Sequence, residues 1–207
     1  MISPFKKRLN ADITSRLRDI GFVKKGFLYI YSQDQDSVLS LFITSRRSYE
    51  KNVVILSVSV GVAMRSVNRI FIQLNHLPKS NYVSEDMFIV GRNLGYLMPQ
   101  KSYKEWFFDE STYSGIALNE MIDAIQGNAF PYYEGRNNLE TLGHYVYETN
   151  EMHTKIGRDE YYPIILYLSN RKDEAIRYVT RIVDSKTHDG LEGENYLSFA
   201  KEFFQLQ

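Results

Sequence analysis

The chain has 207 residues, with 25 Lys+Arg balanced by 25 Asp+Glu, 16 tyrosines and no cysteine. Zero net charge speaks against a dedicated nucleic-acid or membrane-surface binder, which carries a basic surplus. The missing cysteines exclude disulfides, thiolate metal sites and a cysteine nucleophile.

A helix opens the chain: Ser3-Pro4 supplies an N-cap and a first-turn proline. Phe5, Leu9, Ile13, Leu17 and Ile20 make one apolar stripe, and Gly21 closes the helix. Residues 22–31 read as a first strand, with Phe27, Tyr29 and Tyr31 on one face and Leu28 and Ile30 on the other. The polar run from Ser32 to Asp36 is a turn. Residues 37–45 return, setting Leu39, Leu41 and Ile43 against Ser40, Phe42 and Thr44, and residues 46–52 form a loop. In 53–62, Val54, Leu56, Val58, Val60 and Val62 line one face; Val53, Ile55, Ser57, Ser59 and Gly61 line the other. These alternations predict an antiparallel meander whose dry face packs on the first helix. Its other face is small, polar and aromatic, a solvated surface or the wall of a groove.

Residues 65–75 predict a short helix with Val67, Ile70, Phe71 and Leu74 inward, a strand over 70–74 being the alternative. Residues 87–98 add one or two strands with a bend at Gly91 or Gly95, and Trp106-Phe107-Phe108 is an aromatic anchor. A helix over 111–126 is expected to stop at Gly127, with Pro131 preventing its renewal. Beyond 138 the chain reads as helical, with one helix around Leu139, Leu142 and Val146 and another with Pro163 in its first turn. Two more start at Lys172 or Asp173 and at Tyr196. The stretch YLSNRKDEAIRYV resembles a single tetratricopeptide-type helical hairpin, without a repeat array. The expected fold class is α+β: a meander of about five strands packed on an N-terminal helix (1–135), and a C-terminal helical subdomain (136–207) packed with it as one unit.

No constellation of residues spells a known chemistry. His76, His144, His153 and His188 neither pair nor cluster with zinc spacing. Gly91-Arg92-Asn93-Leu94-Gly95 lacks the dinucleotide fingerprint and reads as a turn or bulge. Ser198-Phe199-Ala200-Lys201 spells S-x-x-K on the last helix without its companion motifs. Asp109-Glu110 suit the start of a helix. No catalytic residue, metal or cofactor is therefore expected.

Tyrosine is enriched where proteins meet, so the expected partner is another protein. The partner-binding candidates are Tyr29, Tyr31, Phe42, Arg46 and Arg47, with Lys24, Lys25 and Lys51 nearby in sequence. Aromatics beside basic loops also suit single-stranded RNA or DNA; a solvated, lysine-guarded sheet edge is the preferred reading of those cations. A second set, Trp106, Tyr132, Tyr133, Glu134 and His144, is expected near a groove between sheet and helical tail, the place for a small molecule or an enzyme site. The N-terminus lacks the apolar run of a secretory signal, and the stretch from Val53 to Val62 is too short to span a bilayer. The expected setting is the cytoplasm, away from membranes.

The order of elements carries a resemblance. An amphipathic helix ending in IGFVKKGFLYIY, the strand VSVGV, the segment GRNLGYLMPQKSYKEWFF and a helix ending in AFPYYEG follow one another over residues 5–135. In that order they resemble the bacterial domain-of-unknown-function family 4304. The resemblance implies the α+β fold and a bacterial origin, transfers no catalytic residue, and points toward partner binding of an immunity or regulatory kind.

Overall fold

The computed structural model describes residues 3–48, 52–76, 84–148, 157–186 and 190–206. Helix α1 (Pro4–Asp19) begins as its sequence predicts: Ser3 Oγ accepts the Lys6 N–H at 3.2 Å, and the proline fills the first turn. Phe5, Leu9, Ile13 and Leu17 are buried along one stripe. Gly21, at φ +92°, turns the chain out of the helix in a conformation that strains any side chain.

The expected strand 22–31 is two strands. Gly26, at φ +61°, reverses the chain between β1 (Val23–Lys25) and β2 (Leu28–Tyr31), which pair antiparallel. β3 (Ser37–Arg47) and β4 (Val53–Met64) pair from Ser37 opposite Met64 to Arg47 opposite Val54. α2 (Arg65–Leu74) follows β4 without a loop and is helical throughout, which removes the strand alternative. β5 (Val90–Asn93) leads into a 3-10 turn at Leu94–Tyr96, and β6 (Glu105–Asp109) follows. The outer edge of β4 is shared: β6 pairs with Val53–Ser57 and β5 with Ser59–Val62. The sheet is thus an antiparallel meander whose central strand carries two short neighbours end to end. The aromatic anchor at Trp106 is one of these strands, with Trp106 and Phe108 inward and Phe107 outward.

The dry face carries Leu39, Leu41, Val54, Leu56, Val58, Val60 and Val62, all buried in one cluster with the α1 stripe and α3 (Ile116–Glu134). α3 runs on through Gly127 and Pro131, where the sequence predicts a stop. Burial of Ala129, Tyr132 and Tyr133 holds its last turns against the weak local propensity. α4 (Leu139–Glu148), α5 (Gly157–Leu168), α6 (Lys172–Lys186) and α7 (Gly190–Phe204) complete the chain. Pro163 lies in the interior of α5, not in its first turn. Asn170, at φ +60°, makes the turn between α5 and α6. The Phe71 ring of α2 stacks on Tyr161 of α5 at 4.3 Å, and the same buried cluster extends from Phe5 to Phe203.

The second face of the sheet is half covered. Gly61 and Gly91 stand opposite one another on β4 and β5, and the Phe88 ring fills the space their missing side chains leave. A Cβ on Gly61 would lie 2.2 Å from Phe88 Cβ and Cγ. Residues 85–88 form a strap here. Ser40 Oγ donates to Asp86 O at 2.8 Å, and Asn68 Nδ2 donates to Glu85 O and Met87 O at 2.8 and 2.6 Å. Lys25 Nζ and Arg65 Nε both donate to the Asp86 carboxylate, the latter at 2.7 Å. Gly91, read as a turn or bulge from sequence, lies inside β5, and close packing is what requires a glycine there. Burial pushes the Asp86 pKa up, but the hydrogen bonds and charges of Lys25 and Arg65 outweigh it and hold it below the ordinary 3.8.

Gly61→Ala drives a methyl into the base of Phe88, so its urea midpoint should fall by the equivalent of about 2 kcal/mol with an unchanged slope. Asp86→Asn should destabilise near neutral pH by about 2 kcal/mol, less than a fully buried pair because Lys25 is exposed. The sign with pH follows from the depressed pKa: the Asp86 contribution is complete above the unfolded-state pKa and is lost as pH falls through the folded one. Urea unfolding between about pH 5 and pH 2 should therefore show the wild type losing more stability than Asp86→Asn.

Candidate functional site

Beyond the strap, the second face is open, and strand register arranges it in three rows across the sheet. Phe42, Ser59 and Asn93 form the first, Thr44, Ser57 and Glu105 the second, and Arg46, Ile55 and Phe107 the third. Each row draws on three strands because β4 is paired on both edges. Alternation does the rest: every second residue of β4 is a valine, leucine or methionine held in the core, which leaves the small Ser57 and Ser59 on this side.

The polar groups on the face are bonded to one another. Arg46 grips Glu105 with two bonds, Nε to Oε1 at 3.2 Å and Nη2 to Oε2 at 2.7 Å. That bond is the main reason Glu105 stays below the ordinary carboxylate range. Asn93 Nδ2 donates to Ser57 Oγ at 2.9 Å, while Asn93 Oδ1 accepts the Gly95 and Lys104 N–H groups at 2.9 and 3.1 Å. The Tyr103 hydroxyl donates to Ser57 Oγ at 3.1 Å and lies 3.3 Å from Glu105 Oε1. Around this network stand aromatic rings. Tyr103 is 55% exposed and Phe107 60% exposed, and Phe42 meets the edge of Phe27 at 5.5 Å. Ser57 receives donors from two sides and touches no base. Of the described histidines, His76 follows α2 and His144 lies on α4, so neither reaches it. The arrangement suits recognition through rings, hydroxyls and an oriented ion pair.

Of the partner-binding candidates, Phe42 and Arg46 lie on this face. Tyr29 and Tyr31 do not: register sets them beside Leu41 and Leu39, on the core side. Tyr29 is 5% exposed, with its hydroxyl 2.9 Å from Thr14 Oγ1 of α1. Tyr31 packs edge-on against Phe130 and Tyr133. Arg47 occupies the last β3 position, opposite Val54. The expected basic cluster is dispersed: Lys25, itself exposed, is bound to Asp86 of the strap, Lys24 Nζ stands 5.3 Å from the Tyr29 ring centre, and Lys51 lies outside the described residues.

The second set is not gathered into a groove. Trp106 and Tyr133 are core residues, and the Tyr133 hydroxyl donates to Ser37 O at 3.3 Å. Arg136 is sandwiched between Tyr132 and Tyr145, 3.8 and 3.5 Å from their ring centres. Glu134 is exposed at the end of α3. His144 is exposed on α4, 3.3 Å from the Glu148 carboxylate. His144 does line a cleft of about 490 Å³, but between α4 and α5. A neighbouring cleft of about 400 Å³, lined by Tyr178, Arg177 and Arg181, lies across the stacked rings of Tyr147 and Tyr162. Neither cleft is lined by a residue of the sheet. Sequence reasoning missed Asn93, Tyr103, Glu105 and Phe107. The one available signal was the alternation of Glu105, Phe107 and Asp109 with Trp106 and Phe108.

Among the described residues, no group of three His, Asp or Glu could hold a metal ion, and no helix is long and apolar enough to cross a membrane. No protein family, curated protein or solved structure matches the chain.

Removing the Arg46 bond with Arg46→Ala should raise the Glu105 pKa toward the ordinary 4.5. Carbon-detected NMR titration of the Glu105 carboxyl reads this directly, and an unmoved midpoint would show that the pair does not form in solution.

Proposed function

We propose that the chain is a non-catalytic protein-interaction module, an immunity-type or regulatory binder of the bacterial cytoplasm, with the open half-face as its contact surface. One observation carries this reading: two exposed rings, Tyr103 and Phe107, flank a bidentate Arg46–Glu105 pair on the uncovered part of a single sheet face. Tyrosine, phenylalanine and arginine are enriched at interfaces, and arginine and tyrosine anchor many of them. Scattered exposed rings mean little; rings sharing one rigid face with oriented hydrogen-bonding groups are different. The internal bonds of Asn93, Ser57, Tyr103 and Glu105 hold these side chains in place before a partner arrives, which lowers the ordering cost of association. The resemblance to a bacterial family without assigned catalytic residues supports the same reading.

The test compares immobilised wild type with Tyr103→Ser/Phe107→Ser in quantitative capture from bacterial lysate. The wild type should retain a partner that the double variant retains at least about tenfold less, with equal urea midpoints for the two proteins. Identical capture by both removes the open face as the contact surface.

A further inference from the structure

We propose that β6 is a docking edge for an extended peptide that adds one strand to the sheet, with an apolar side chain seated on Phe107 and a basic one against Asp109. The inference rests on the interaction reading above and names how the partner binds. The hydrogen-bond pattern fixes which backbone groups of β6 are free. The Glu110 N–H donates to Asn52 O at 3.1 Å. In an antiparallel ladder, bonded pairs recur at every second position, so Phe108 with Val54 and Trp106 with Leu56 are the bonded pairs of β6 and β4. The N–H and C=O of Glu105 and Phe107, and the N–H of Asp109, therefore point away from β4. Among the described residues no strand pairs with that side. The Asp109 C=O is used locally, accepting the Thr112 N–H at 3.3 Å.

The side chains define the occupant. Glu105, Phe107 and Asp109 share the open face, but the Glu105 carboxylate is already held by Arg46, which leaves Asp109 as the acid beside the ring. A residue of an added strand directly opposite each of them lies on the same face, so the complementary peptide sets an apolar side chain on the Phe107 ring and a basic one against Asp109. A second copy of this chain is the wrong occupant. Two β6 strands paired about a two-fold axis at Phe107 would set Asp109 opposite a Glu105 that Arg46 already holds, and so would supply Asp109 with no cation.

Amide NMR with the full chain tests this, using the acetylated, amidated peptide Thr-Lys-Thr-Val-Thr-Lys-Thr as probe. Binding should slow hydrogen exchange at the amides of Glu105, Phe107 and Asp109 while Trp106 and Phe108 change little. N-methylating the valine, whose N–H would face β6, should weaken binding at least about tenfold; N-methylating the threonine beside it, whose N–H would face solvent, should not. Exchanging both lysines for glutamate should abolish binding. Equal effects of the two N-methyl groups, protection at Ser45 (where β3 outruns β2) in place of β6, or no binding at all each overturns strand addition. Tyr103- and Phe107-dependent capture from lysate would then still leave the interaction reading standing on side-chain contacts alone.

Discussion

The seating of Phe88 on the facing glycines of β4 and β5 decides what the sheet presents. With any side chain at Gly61 the ring would have to lift, and the strap of residues 85–88 would lift with it. Asp86 would then lose its place between Lys25 and Arg65. A carboxylate with 1% of its side chain exposed is tolerable only because two cations and their hydrogen bonds offset its desolvation. Apolar packing and ion clamp are thus one device. Its position also explains the composition of β4. Gly61 and Ala63 lie in the covered half, and the hydroxyls of Ser57 and Ser59 fall in the half left open.

α2 ties this device to the rest of the molecule. No side chain of its own caps its first turn; Asp36, from the β2–β3 turn, accepts both the Ser66 N–H at 2.6 Å and its hydroxyl at 2.7 Å. Arg65 reaches Asp86, Asn68 holds the strap, and Phe71 stacks on α5. One ten-residue helix therefore touches the sheet, its cover and the helical tail. These contacts lie at the C-terminal end of β4, beyond the half of the face left open.

Period-two alternation was enough to read β3, β4 and their dry face, because both strands are long, β4 buries one side from Val54 to Met64, and Leu39 and Leu41 of β3 are buried beside it. It failed where the pattern was short or broken. Trp106-Phe107-Phe108 looks uniformly apolar on its own, and Phe107 separates from its neighbours only when the flanking Glu105 and Asp109 are read with it. Tyr29 and Tyr31 changed faces relative to Phe42 because the β2–β3 register, closed by the turn from Ser32 to Asp36, places Leu28 and not Tyr29 beside Phe42. α3 outran its expected stop because tertiary burial of its last turns exceeds what Gly127 and Pro131 take away. Phe42 and Arg46 were legible as surface groups. Asn93, Tyr103 and Glu105 were not, since they reach Ser57 and Arg46 from 36 to 59 residues away along the chain, and no local pattern encodes that meeting.

The two outer edges of the sheet are finished differently, and the difference bears on how the protein avoids itself. Arg65 N–H donates to Asp36 O, which fixes the bonded pairs of β3 with β4 at even positions of β3. β3 then offers Leu39 and Leu41 to β2, and β2 offers Leu28 and Ile30 to β1. On the three-residue β1, this leaves only the backbone of Lys24 facing outward. So short and lysine-bearing an edge cannot template a neighbour. β6 is longer, and carries an exposed ring between two carboxylates. Pairing with another copy of β6 would give Asp109 only a Glu105 that Arg46 already holds, and β1 is too short to pair with β6 in a head-to-tail chain of copies.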